Sequence, residues 1–152
     1  MRWRSIASAV ALLMLASSSH PIAGSTAAPA AETPEHLYML NCWGCHRPHG
    51  EGIPGTAPPL RGAADFLRVP GGRDYLIEVP GVAQSALDDA QVAAVMNWII
   101  ESFSADRIAA GFAPYTREEV AKSRATRLMD LKQARLGLVS EMVAMKIRPA
   151  EK

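Results

Sequence analysis

Cys42-Trp43-Gly44-Cys45-His46 contains both cysteines of this 152-residue chain. A C-x-x-C-H sequence is typical of covalent haem attachment, because two thiols at this spacing can add to the two vinyl groups of one porphyrin. The histidine that follows directly is then placed to give its imidazole to the iron from the same side. The motif therefore predicts one haem held through Cys42 and Cys45, with His46 as an iron ligand.

Cysteine pairs at this spacing also occur in other kinds of site. A thioredoxin-like redox site requires a βαβ setting, and no strand-like segments rich in branched residues flank the motif. A structural zinc site requires a second ligand pair, and the sequence has no further cysteine. The other histidines do not supply that pair: His20, His36 and His49. A disulfide between the two cysteines closes too short a loop to stabilise the fold much, and it leaves His46 without a role.

The amino terminus has the pattern of a secretory signal peptide. Arg2 and Arg4 precede an apolar run at 6–16, and the serine-rich stretch 17–19 follows it. The run is too short to span a bilayer comfortably, so a stable membrane anchor is not expected to remain after cleavage. We predict a cleaved signal peptide over residues 1–27 and a small-residue linker over 28–33. Export agrees with the haem prediction.

The composition is that of an ordinary globular chain, with 20% charged residues and a formal net charge of +1. That charge gives no indication of a nucleic-acid partner. The mature length supports a single domain with a modest core, which a haem would enlarge. Acidic residues predominate between Pro29 and Thr116, and basic ones from Arg117 onward. We interpret the basic segment as a solvated helix face, with a docking surface for charged partners as the alternative.

A short helix is predicted directly before the motif, over residues 34–42. Thr33 is placed as its N-cap, and Pro34 occupies the first helical position. After the motif, residues 50–81 are rich in glycine and proline and show little periodicity. A segment of this length without regular structure usually has a function or surrounds something. We therefore expect it to be irregular and to wrap the haem.

Capping residues and apolar periodicity predict two further helices. One covers 88–102, with Asp88 as N-cap and Gln91 in the capping-box position. The other is a single amphipathic helix that begins at Thr116, with Glu119 in the corresponding position. Its apolar residues form one stripe: Val120, Leu128, Leu131, Leu138, Met142 and Met145. Together with the helix before the motif, they predict an all-α fold.

In this order, the segments resemble the class I c-type cytochromes, which are small all-helical proteins that carry one covalent haem. The resemblance covers about residues 36–103. It rests on Leu37-Tyr38 before the motif, Arg47-Pro48-His49-Gly50-Glu51-Gly52 after it, Ala57-Pro58-Pro59-Leu60, and Asn97-Trp98-Ile99. It implies a cytochrome c-like domain at 34–104 around the haem, followed by a helical C-terminal extension at 105–152.

The resemblance also assigns residues around the haem. In this family a proline carbonyl accepts a hydrogen bond from the second ring nitrogen of the haem histidine, which implies that Pro58 orients His46. Such a hydrogen bond fixes the tautomer of the ligand and raises its basicity. The alternative for Pro58 is a role in shaping the turn. The resemblance further implies that Trp98 packs where the first and last core helices cross, near the haem edge.

The second axial ligand of the iron is left open by the sequence. The resemblance implies a methionine in the loop before the last core helix, but Val79 stands there, and no methionine occurs between Met39 and Met96. Met96 is one candidate for this ligand, with a packing role as the alternative. Other candidates are Met129, Met142 or Met145, and His49, for which the opposite face of the haem is hard to reach from a position so close to the motif. The last alternative is an iron with an open or water-occupied position.

The resemblance implies a protein that transfers single electrons between a donor and an acceptor redox protein in the periplasm, and that is not an enzyme. A dehydrogenase or an oxidase is a candidate partner. An open iron position instead predicts a small-ligand sensor or a weak peroxidase, although the sequence shows no distal His–Arg pair. A third hypothesis is a subunit of a larger dehydrogenase or oxidase that docks through the C-terminal helix.

Overall fold

The computed structural model describes residues 32–150, which fold into α-helices joined by turns. The helices are α1 (Pro34–Asn41), α2 (Trp43–His46), α3 (Ala63–Phe66), α4 (Gly72–Glu78), α5 (Pro80–Ala83), α6 (Asp89–Phe103), α7 (Arg117–Arg124) and α8 (Leu131–Ala144). Two 3₁₀ turns occur at Leu60–Gly62 and Ala105–Arg107. No β-strand forms between residues 32 and 150, so the all-α prediction is confirmed. The signal peptide predicted at 1–27 lies outside the described residues.

The two helices that flank the site begin at the predicted capping residues. At the start of α1, the Thr33 hydroxyl accepts a hydrogen bond from the His36 backbone N–H at 3.2 Å. At the start of α6, an Asp88 carboxylate oxygen accepts from the Gln91 N–H at 2.8 Å, and the Gln91 side chain accepts from the Asp88 N–H at 3.0 Å. Each cap satisfies backbone donors that have no partner within the helix.

The segment 50–81 is more regular than the sequence predicts. It contains the first 3₁₀ turn, α3, α4 and the beginning of α5, and the longest of these, α4, has seven residues. A helix of two turns or fewer is too short to show a 3.6-residue period in its apolar residues. The expectation of a wholly irregular segment is therefore wrong, and its physical reason is the shortness of the helices.

The prediction of one continuous helix from Thr116 is also wrong. Thr116 caps α7 as predicted, because its hydroxyl accepts from the Glu119 N–H at 3.2 Å. However, α7 ends at Arg124, and α8 begins anew after Asp130. An Asp130 carboxylate oxygen accepts from the Gln133 N–H at 2.9 Å, which is the N-cap bond of a separate helix.

Two apolar clusters hold the helices together. The main cluster joins α1, α6 and α7, and its buried members include Leu37, Tyr38, Val92, Met96, Ile100, Tyr115 and Val120. The second cluster joins α3, α4 and α8 through Phe66, Val69, Tyr75, Met142 and Ile147. Residues beyond 104 thus pack on residues before it, and the described chain forms one compact unit. The boundary between 34–104 and 105–152 stays a prediction from the resemblance.

None of the helices between residues 32 and 150 combines the length and apolar composition needed to span a bilayer.

A single arginine of α7 holds the turn that precedes α6. The Arg124 guanidinium donates to the backbone carbonyls of Ala83 at 3.1 and 3.2 Å, Ser85 at 3.0 Å and Leu87 at 2.9 Å. It also forms an ion pair with Asp89 at 2.9 Å, and only 17% of the Arg124 side chain is exposed. The planar fork of donors suits this use, since an ammonium group cannot reach several carbonyls in fixed directions.

Removal of this guanidinium is expected to destabilise the fold. Arg124→Gln should lower the free energy of unfolding by about 2–4 kcal/mol, because partly buried carbonyls and a carboxylate lose a charged donor. Chemical denaturation of the haem-loaded protein measures the change. The matched control is Lys122→Gln, which removes one positive charge from an exposed position of the same helix. Equal stability of the two variants would contradict the structural role of Arg124.

Candidate haem site

The corner between α1 and α2 brings the three residues of the motif to one side of a single helical turn. The Cys45 and His46 backbone N–H groups both donate to the Cys42 carbonyl, at 3.2 and 2.9 Å. Residues three and four positions apart share one face of a helix, so both thiols and the imidazole project in related directions. Cys42 is half-buried, Cys45 is exposed, and both are free thiols.

The electrostatic setting of the thiols differs from that of a redox-active cysteine pair. Burial raises the pKa of Cys42 to about 11, and the neighbouring Cys45 adds to the rise. Thiols that exchange disulfides have pKa values lowered by positive charge or by a helix N-terminus. For Cys42 the direction is the opposite, because burial disfavours its thiolate.

His46 is held in one tautomer by a backbone carbonyl. Its Nδ1 lies 3.1 Å from the carbonyl oxygen of Pro58. A carbonyl can only accept, so Nδ1 carries the proton and Nε2 keeps its lone pair for a metal. Burial lowers the pKa of His46, while the hydrogen bond to Pro58 opposes that shift. The net direction favours the neutral imidazole, which is the form that binds iron.

The Pro58 carbonyl is positioned by a tight loop that closes on Gly52. Ile53 and Ala57 exchange two backbone hydrogen bonds of 2.8 and 2.9 Å, and the Gly52 N–H donates to the His46 carbonyl at 3.2 Å. Gly52 has a φ of 74°, and a Cβ atom there would overlap the Ala57 carbonyl and lie 2.8 Å from the Pro58 oxygen. Only glycine satisfies both conditions. The resemblance identified a glycine-rich turn here, but this close approach left no signal in the sequence.

Three aromatic rings meet where α1 crosses α6. The Tyr38 and Trp98 ring centroids are 5.1 Å apart, and Phe103 lies 5.3 Å from each of them. The Tyr38 hydroxyl donates to the carbonyl of Arg47 at 2.5 Å, which ties the end of the motif to α1. Burial is the main cause that raises the pKa of Tyr38 to about 12. Trp98 therefore lies at the helix crossing where the resemblance placed it, packed against the same cluster as Cys42.

The candidates for the second iron ligand are spread over the molecule. Met96 is buried in the main cluster, and Met142 is buried in the second. The other two methionines of the C-terminal segment, Met129 and Met145, are exposed. His49 is exposed as well, and its backbone N–H donates to the Glu51 carboxylate. Within 32–150 no group of three or more His, Cys, Asp or Glu side chains forms a separate metal site.

Two free thiols beside an oriented imidazole, on a small all-α fold, define a mono-haem protein of the c type. Residues 31–78 match the family model described as cytochrome c. Two cytochromes c-552 from Thermus thermophilus are each 40% identical to this chain over 106 residues. Those alignments cover 57% of this chain and 81% and 72% of the relatives. The chain belongs to the cytochrome c family, as a class I mono-haem c-type cytochrome. Its cofactor is covalently attached haem c with iron, and it is an electron carrier rather than an enzyme.

Proposed function

We propose that the protein transfers single electrons between redox partner proteins in the periplasm, with Cys42 and Cys45 as the thioether residues and His46 Nε2 as an iron ligand. The observation that carries this assignment is the 3.1 Å hydrogen bond from His46 Nδ1 to Pro58. It leaves Nε2 as the basic nitrogen in the residue adjacent to the second thiol. An imidazole held in this way is already oriented for iron before the metal arrives.

The residues present fit a covalent haem. The donor set supplies two unpaired thiols at the attachment spacing and one neutral imidazole. The haem supplies an iron that accepts and releases one electron. The chain's own residues do the rest: Gly52 lets the Pro58 carbonyl reach His46, and Trp98 packs, as Cys42 does, against the main apolar cluster.

A second candidate function is favoured by the absence of a methionine at the position where the resemblance implies one. Val79 lies between α4 and α5 as the C-cap of the first and the N-cap of the second, so a valine occupies the position at which the resemblance implies a thioether. Met96 packs in the core instead of standing free at its edge. An iron with an open position would bind small molecules such as CO or NO, and would make the protein a haem-based sensor or a weak peroxidase. The oxidised and reduced visible spectra, recorded with and without CO, distinguish this function from that of a six-coordinate carrier.

The ligand role proposed for Met96 is tested by a volume-conserving substitution. We expect Met96→Leu to leave the oxidised and reduced visible spectra unchanged, because the buried side chain is used for packing. The cost in stability should stay below about 1.5 kcal/mol, as is usual for such swaps. Met142→Leu is the matched control, since Met142 is fully buried in the other cluster. A change to a high-spin spectrum in Met96→Leu alone would identify Met96 as the second axial ligand.

The location and the partners complete the proposal. The signal-like sequence at 1–27 supports export to the periplasm, which is tested by cell fractionation and by sequencing the amino terminus of the recovered protein. The donor and acceptor are redox proteins, and a dehydrogenase or an oxidase is the proposed class. A stable subunit of such a complex, docked through the C-terminal extension, is a further hypothesis. It requires a surface of the extension that remains available, since α7 and part of α8 pack on the chain's own core.

A further inference from the structure

The C-terminal part of the chain carries most of the exposed apolar side chains. Seven large apolar residues between 32 and 150 are exposed, and five of them lie in or beside α8. Their exposed fractions run from 43% to 85%. These five are Met129, Leu131, Leu136, Val143 and Met145. Two of them, Leu136 and Val143, are seven positions apart and therefore share one side of α8. Leu131 and Met145 lie on the side of buried Met142, and Met129 precedes the helix.

The helix α8 is apolar on two opposite faces. Its inner face packs in the second cluster through Leu138 and Met142, and the Arg135 guanidinium lies 5.1 Å from the centre of the Phe66 ring. On the other face, Leu136 follows an exposed Lys132 by four positions, and exposed Val143 follows Leu136 by seven. We call this exposed side the outer face of α8, defined as Leu136 and Val143 with Lys132 in the helix and Lys146 just after it.

The charge around the outer face is positive. Lys132 and Lys146 are exposed, and neither forms an ion pair among the described residues. The acidic residues in and beside α8 have other places: Asp130 caps the helix, and half-buried Glu141 lines the cleft between α8 and α4. Apolar side chains with a basic border complement an anionic surface that has an apolar interior.

Three kinds of partner are compared with the outer face: a second copy of this chain, another protein and an anionic phospholipid surface. A second copy would bring like charges together, because a two-fold interface pairs the same patch with itself. A protein partner is less suited, since the outer face lacks the Trp and Tyr residues that dominate hot spots of protein interfaces. Small residues, Gly137, Ser140 and Ala144, lie between the apolar ones. An anionic phospholipid surface needs only apolar side chains of modest size and cations at headgroup level.

We propose that the outer face of α8 binds reversibly to an anionic phospholipid surface. Leu136 and Val143 enter the boundary between headgroups and acyl chains, and Lys132 and Lys146 meet the phosphate groups. The second cluster, on which α8 packs, contains no residue of α1 or α2, so the surface and the haem motif belong to different parts of the core. This proposal rests on the proposed periplasmic electron transfer, and it narrows the redox partners to proteins of the membrane.

Vesicle co-sedimentation of the processed, haem-loaded protein tests the proposal. The vesicles contain equal parts of phosphatidylglycerol and phosphatidylethanolamine, with pure phosphatidylcholine as the neutral comparison, and haem absorbance reports the bound fraction. We expect binding to the anionic vesicles only, weakened by salt. Lys132→Glu with Lys146→Glu should weaken it at least about tenfold, and so should Leu136→Ser with Val143→Ser. The matched controls, Lys122→Glu and Leu40→Ser, change exposed residues of α7 and α1 and should bind as the unchanged protein does.

Several results would overturn the proposal. They are equal binding to neutral vesicles, no binding to either kind, or binding that the α8 variants leave intact. Sedimentation as a dimer that depends on Leu136 and Val143 would assign the face to a second copy. Retention on an immobilised acidic protein without vesicle binding would assign it to a protein partner. The visible spectrum and covalent haem content of the same samples separate the proposed electron transfer from the proposed binding to phospholipid. A normal haem with no vesicle binding refutes only the binding of α8 to a phospholipid surface.

Discussion

Replacing both Cys42 and Cys45 with alanine is expected to abolish covalent haem attachment completely. The two thiols are the only ones in the sequence, so no other residue can form a thioether to the porphyrin. Purified protein treated with acidified acetone should then release all of its haem into the solvent. The unchanged protein should keep its haem with the polypeptide under the same treatment.

The control for this experiment changes the motif without touching its thiols. Gly44→Ala keeps the spacing, and a Cβ atom at Gly44 would meet no other atom within 4 Å. This variant should retain covalent haem. Haem that resists extraction from the double-alanine variant would refute the assignment of the two cysteines. Loss of haem from Gly44→Ala would show that attachment depends on the shape of the turn as well as on the thiols.

Gly52→Ala is expected to have the second largest effect. The added methyl group would overlap the Ala57 carbonyl and crowd the Pro58 oxygen, so the loop must open. The free energy of unfolding of the haem-loaded protein should fall by about 3 kcal/mol or more, which is at the upper end for a point change. Because the His46–Pro58 hydrogen bond would be lost, the reduction potential should shift as well. Chemical denaturation and potentiometry measure the two effects.

Gly55→Ala separates steric overlap from backbone strain. Gly55 has nearly the same positive φ, 77°, but open space around the position of its Cβ. Its replacement should cost only the about 1–2 kcal/mol of a left-handed residue that is not glycine, and should leave the reduction potential unchanged. If both variants lost the same stability and kept the same potential, the close approach at Gly52 would have no role in placing Pro58.

The elements that could be predicted from the sequence are those specified by neighbouring residues. Thr33 and Asp88 each cap a helix through bonds to residues three positions on, and such signals are visible in a short window. The break between α7 and α8 has a signal of the same kind, Asp130 with Gln133, but the apolar stripe continues across it at nearly helical spacing. The apolar period therefore predicts one helix where the structure has two.

The haem site, like the helices, could be predicted only where its signal lies in neighbouring residues or in the resemblance. Spacing alone identified Cys42, Cys45 and His46, and the resemblance led to Pro58, whose carbonyl the structure brings to His46. The roles of Gly52 and Arg124 have no signal of this kind, because their partners are backbone carbonyls, and every residue type carries one. A glycine that a carbonyl approaches closely looks in sequence like any other turn glycine.

The hydrogen bonds of Arg124 also impose an order on events during synthesis. Their acceptors lie at residues 83–87, and their donor lies far later in the chain, after all of α6. A polypeptide emerges amino terminus first, so the cysteine motif is exposed well before the arginine that holds the turn has appeared. Until Arg124 has emerged, the carbonyls of this turn lack the donor that holds them in the folded protein.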